Sequence, residues 1–183
     1  MTNQTLQERI GEAFELDAHL TVIGTKLQVG DKAPDFSLDH IDPADSTMHV
    51  VQLSDTAGQV RLLNVINSLD TPVCHVETHR WEELRDKLPA NVVVYTISMD
   101  LPFAQERWQK AEKVTHAALS SHRSEKFGHD YGLLIKEWRL LQRAVFVIDG
   151  NGIIRYAEYV PDQMKEPQYD AALDAIKSLE QAK

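Results

Sequence analysis

Leu62-Leu63-Asn64-Val65-Ile66-Asn67-Ser68-Leu69-Asp70-Thr71-Pro72-Val73-Cys74 decides how this chain is read. Its first five residues are short, branched and almost continuously apolar, the pattern of a strand covered on both faces. A turn follows. Thr71 is an N-cap residue type and Pro72 suits a first helical position, which puts Cys74 at the third. A thiol at that point meets the unpaired amides and positive dipole end of a helix, and both favour the thiolate. The thiolate is the nucleophilic and oxidisable form.

The same apolar, branched character recurs at 91–99 and 143–148, so three buried strands are predicted with 61–66. Helical stripes lie between and after them. They cover 72–88 (Val73, Val76, Trp81, Leu84, Leu88), 103–113 (Phe103, Ala104, Arg107, Trp108, Ala111) and a last helix opened by Pro167. Phe36-Ser37-Leu38 and Val50-Val51-Gln52-Leu53 read as short strands. Asp149-Gly150-Asn151-Gly152 reads as a hairpin turn into a strand at 153–159. Near the N-terminus, Leu6, Ile10 and Phe14 stand at helical spacing and predict an amphipathic arm over residues 1–13. Segments 14–17 and 21–28 then form a small β-hairpin. The expected organisation is that arm plus one domain over 14–183, an α/β sandwich around a mixed sheet.

The length of 183 residues suits one domain, and a net charge of −9 argues against a nucleic-acid surface. One cysteine excludes an intrachain disulfide, a Cys-x-x-Cys redox pair and a multi-cysteine zinc cage. The first residues lack a basic cluster followed by an apolar core, and no apolar run is long enough to cross a bilayer. A cytoplasmic protein without membrane contact is the expectation.

Cys74 alone has a plain reading, a small buried hydrophobe. Its placement gives a second one. The Thr71 hydroxyl lies in the same turn and can donate to the sulfur or to an oxygen bound there. A peroxide suits such a site: the thiolate attacks one oxygen, charge builds on the departing one, and donors or a fixed arginine stabilise it. The product on Cys74 is a sulfenic acid. His75 and His79 lie four apart beside Cys74, a spacing a metal site would use. No acidic residue at a helical offset completes one, so no metal is predicted and both read as solvated or rim histidines. A protonated His75 would favour the thiolate further. His116, His122 and His129 read as surface residues, Arg123 as structural at a dimer contact, and Trp81 and Trp108 as core. Trp138 reads as bordering a partner surface.

Ser68-Leu69-Asp70-Thr71-Pro72-Val73-Cys74 resembles the peroxidatic motif of the thiol-peroxidase branch of the peroxiredoxins. Four further segments resemble that branch in order: Val29–Phe36, Ser98-Met99-Asp100-Leu101-Pro102-Phe103-Ala104-Gln105, Arg139–Asp149 and Glu166–Leu173. The resemblance spans roughly residues 14–180. It implies a thioredoxin-like fold, a central mixed sheet flanked by helices, with an N-terminal β-hairpin. It implies a thiol-dependent peroxidase acting on hydrogen peroxide or small alkyl hydroperoxides, without metal or organic cofactor, in a homodimer. Carried over by residue, Cys74 is the peroxidatic cysteine and Thr71 the hydroxyl that hydrogen-bonds thiolate and peroxide. Arg143 is the cation that holds the thiolate charge, and Asn67, Ser68 and Val73 border the pocket.

Two departures matter. The family motif has proline where this chain has Asn67, a polar residue that could admit water, loosen the loop or contact a bound oxygen. The branch's resolving cysteine corresponds to Gln109, so an external thiol, a thioredoxin-like protein or a low-molecular-weight thiol, must resolve the sulfenic acid. A non-enzymatic peroxide sensor or regulatory binding protein on the same scaffold is the alternative these departures support. An interaction protein with an inert thiol is a third.

Overall fold

A computed structural model describes residues 6–181. Among these residues the order is β1 (Glu8–Glu15), β2 (Ala18–Ile23), β3 (Ser37–Ile41), β4 (Met48–Gln52), a 3₁₀ turn (Leu53–Thr56), β5 (Val60–Val65), α1 (Pro72–Arg85), β6 (Val92–Ser98), α2 (Pro102–Glu112), β7 (Ala117–Ser120), α3 (Lys126–Asp130), β8 (Leu134–Ile135), β9 (Leu140–Leu141), β10 (Ala144–Ile148), β11 (Ile154–Tyr159) and α4 (Tyr169–Gln181). The central sheet runs β11-β10-β5-β6-β7-β3-β4. Its β5-β6-β7 core is parallel and its flanks antiparallel, so the sheet is mixed as expected. A smaller antiparallel sheet runs β1-β2-β8-β9.

The continuous apolar strands are covered on both faces, and the two-residue period sorts their side chains. Leu63 and Val65 of β5, Ile97 of β6 and Phe146 of β10 enter one core with Phe36, Phe127 and Tyr131. Leu62, Val94, Val145 and Val147 enter the other, beneath Trp81 and Leu84 of α1 and Ala172 and Ile176 of α4. Each such aliphatic or aromatic side chain, fully buried, contributes about 1.5–3 kcal/mol. The turn after β10 closes because the Asp149 carboxylate accepts from the Asn151 and Ile153 amides at 2.9 and 3.0 Å.

Three expectations need correction. The helical arm is a strand: β1 crosses residues 8–15 and pairs with β2, so the hairpin begins earlier than the sequence pattern places it. A bulge between Arg9 and Ala13, with Gly11 at φ +71°, breaks the alternation. It leaves Ile10 85% exposed while Ala13 is fully buried. An interrupted period of two left only the four-residue spacing visible. Residues 1–5 of the proposed arm lie outside the described residues. The last helix starts at Tyr169, because the Gln168 carbonyl accepts its first bond, from Ala172 N at 3.4 Å, and Pro167 stands outside. His116 is buried: Nδ1 and the Glu82 carboxylate lie 2.6 Å apart, and Nε2 lies 2.8 Å from the Thr96 hydroxyl.

Candidate active site

β5 leaves the middle of the sheet at Val65, and the chain crosses its end to enter α1. Asp100, just past β6, shapes that crossing. Its carboxylate accepts from Ser68 Oγ at 2.7 Å, from the Leu69 amide at 2.9 Å and from Ser98 Oγ at 2.7 Å. Thr71 is the N-cap, extended at φ −95° and ψ 144°, Pro72 follows it, and Cys74 is the third helical residue, as the sequence implies.

The Thr71 hydroxyl does not cap the helix and does not donate to sulfur. It donates to the Ser68 carbonyl at 2.9 Å. With its proton committed there, its lone pairs remain acceptors. The Val73 and Cys74 amides have no partner within the helix and receive no cap from Thr71.

Cys74 is fully buried beside Ile66, Leu69, Trp108 and Val114. Its surroundings are not purely hydrocarbon. The thiol faces Asn67 Oδ1 at 3.9 Å, while Asn67 Nδ2 donates to the Leu141 carbonyl at 2.6 Å and to Gln163 Oε1 at 3.0 Å. Both amide protons are thus used in tying the 67–73 loop, one to β9 and one to Gln163 beyond β11, and the carbonyl oxygen is turned toward sulfur. These bonds tether the loop at Asn67.

Arg143, one residue before β10, is 1% exposed. Its Nη1 donates to Glu77, its Nη2 to the Gln163 carbonyl at 3.0 Å, and its backbone amide to Gln163 Oε1 at 3.0 Å. Burial works against the guanidinium charge, but the Glu77 carboxylate and the neighbouring Cys74 sulfur outweigh it and hold Arg143 above its ordinary value. Burial pushes the Glu77 carboxyl up to about 8, with the Arg143 charge pulling against it. Glu77 and Gln163 escaped sequence reasoning. Glu77 carried a signal, since it lies three residues beyond Cys74 on one helix face. Gln163 carried none.

A cavity of about 430 Å³ opens over this group, with Asn67, Thr71, Pro72, Val73 and Arg143 on one side and Trp138, Leu140 and Met164 among its other walls. Neither Cys74, which is fully buried, nor Ser68, whose hydroxyl donates to Asp100, lines it. Trp138, half-exposed, packs against Ala13, Leu20, Val22 and Ile135 and lines the cavity. Gln109 is also buried, its Nε2 donating to the His116 carbonyl at 2.8 Å. His75 and His79 are half-exposed on α1, and the acidic partner missing from the helix arrives from α2: Glu112 Oε2 lies 3.0 Å from His79 Nε2.

The chain is similar to known proteins over most of its length. Residues 29–157 match the AhpC/TSA family. The chain is 47% identical over 161 residues to the thiol peroxidase of Streptococcus sanguinis, covering 87% of this chain and 95% of that protein. It is 44% identical over 161 residues to that of Bacillus subtilis, covering 87% and 93%. The crystal structure of a peroxiredoxin-like protein from Aquifex aeolicus superposes with a TM-score of 0.79 at 31% identity, over 93% of this chain and 98% of that one. The fold is thioredoxin-like, and the chain belongs to the AhpC/TSA family, within the thiol-peroxidase group of the peroxiredoxins.

Proposed function

We propose that this protein reduces hydrogen peroxide or small alkyl hydroperoxides in a one-cysteine cycle centred on Cys74. One arrangement carries the reading: a cysteine at the third position of α1, a buried arginine beside its sulfur, and a cavity bounded by Thr71, Val73 and Arg143. The Cys74 thiolate attacks one peroxide oxygen and the O–O bond breaks. Sulfur is oxidised to the sulfenic state, and the departing oxygen leaves as water or alcohol after taking a proton. Arg143 and the first-turn amides stabilise the charge that develops. The Thr71 oxygen, its own proton engaged, accepts from the peroxide hydroxyl and orients it.

Cys74 is the only cysteine, so the sulfenic acid condenses with an external thiol, releasing water. A second thiol then reduces the mixed disulfide and restores the resting enzyme. A single unpaired thiol fits the cytoplasm. Among the described residues, no helix is long and apolar enough to cross a membrane. Val76, Leu101 and Phe103, each at least half exposed where α1 and α2 begin, offer apolar surface for the homodimer we assign.

The test is peroxide consumption with dithiothreitol, a thioredoxin or a low-molecular-weight thiol, with mass spectrometry of Cys74. Multiple turnovers, a sulfenate that returns to thiol, and complete loss of turnover in Cys74→Ser are expected. A Cys74→Ser variant that consumed peroxide at the parental rate would end the proposal.

A further inference from the structure

We propose that His75, His79 and Glu112 form a binding site for a divalent transition-metal cation, separate from the peroxide cavity. His75 and His79 stand one turn apart on α1, and Glu112 is the last residue of α2. Both imidazole Nε2 atoms face the same carboxylate oxygen, at 3.9 Å from His75 and 3.0 Å from His79, and the three ligand atoms all lie within 4.8 Å of one another. Four-coordinate zinc, with bonds of about 2.0–2.1 Å, needs ligand atoms about 3.3 Å apart. The observed spacings bracket that value, and side-chain rotation alone closes the difference.

The surroundings preorganise the group. Both rings rest against Trp108, with centroids at 5.5 Å for His75 and 5.6 Å for His79. Trp108 and Glu112 are one turn apart on α2, so one helix face supplies both the apolar wall and the carboxylate. The three ligand side chains are 34 to 41% exposed, which leaves an open approach. Two imidazoles and one carboxylate suit zinc, iron(II), nickel(II) or copper(II), and not the all-oxygen preference of calcium or magnesium. Three protein ligands leave a position for water. A bound ion would join the helix that begins at the Cys74 turn to the far end of α2. The competing account is a histidine–carboxylate hydrogen bond with edge-on and tilted ring contacts and no metal.

The experiment uses the full chain without an affinity tag, as Cys74→Ser so that no thiol competes. Zinc is titrated calorimetrically, and cobalt(II) is followed through its visible ligand-field bands. One equivalent should bind, with a rise in melting temperature. His79→Ala and Glu112→Gln should each weaken binding by about tenfold or more, with unchanged circular dichroism. Saturable binding absent below millimolar metal, or an affinity unchanged in both variants, overturns the proposal.

Discussion

Replacing Gln163 by leucine isolates how the site is held together. The Gln163 side chain spans four partners: its Oε1 accepts from Asn67 Nδ2 and from the Arg143 amide, each at 3.0 Å, and its Nε2 donates to the Val160 and Pro161 carbonyls at 2.7 and 3.0 Å. Leucine conserves most of the volume but leaves two buried N–H groups without an acceptor. An unsatisfied buried group costs about 1–3 kcal/mol, so about 3 kcal/mol is expected in total after partial relaxation. In a domain of this size that corresponds to a fall in Tm of about 6–12 °C. Arg143 and Asn67 both lose an anchor, and displacement of about an ångström lowers kcat/KM by about 10–100-fold. Urea denaturation followed by tryptophan fluorescence gives the first quantity, and peroxide consumption well below the melting transition gives the second. An unchanged urea midpoint would refute the packing argument. A destabilised variant with the parental rate constant would refute the positioning argument.

Arg143→Met removes the hydrogen-bond partner of the buried Glu77, whose carboxyl then stays protonated, and should cost about 1–3 kcal/mol. The double variant Arg143→Met/Glu77→Gln should recover stability by chemical denaturation, yet stay inactive if the guanidinium acts on the sulfur and the departing oxygen. Burial works against the Glu82 charge, but hydrogen bonds from His116 and Thr115 outweigh it and hold this carboxyl well below the usual carboxylate range. Its contribution is therefore present above pH of about 4.5 and lost as pH falls. Glu82→Gln should be less stable at neutral pH and lose less on acidification, as read from urea midpoints between pH 7 and 3. Gly24, at φ +103°, would place an added Cβ 2.4 Å from the His129 carbonyl oxygen. Gly24→Ala should lower stability by more than about 1 kcal/mol in the same assay; an unchanged midpoint would show that the contact yields freely.

What was legible in the sequence follows from range. β5, β6 and β10 announced themselves because burial on both faces writes a continuous apolar run into neighbouring residues. Cys74 at the third helical position was legible because a threonine and a proline mark a helix start locally. β8 and β9, two residues each, are too short to carry a period. β1 lost its alternation at the Gly11 bulge. The partners that complete the site arrive from far along the chain. Gln163 meets Asn67 across 96 residues, Glu112 meets His79 across 33, and Glu82 meets His116 across 34. No local spacing encodes such meetings, which is also why His116 read as a surface residue.

The Asn67 amide has a lasting consequence. One small side chain fastens the sulfur loop to the Leu141 carbonyl and, through Gln163, to the segment that follows β11. A shift in any one of the three segments is transmitted to the other two at once, with no slack to absorb it. Tolerance to mutation should therefore be coupled between the two side chains: a change at 67 or 163 leaves the other with an unmade hydrogen bond, whereas position 141, which lends only its carbonyl, is free of that coupling.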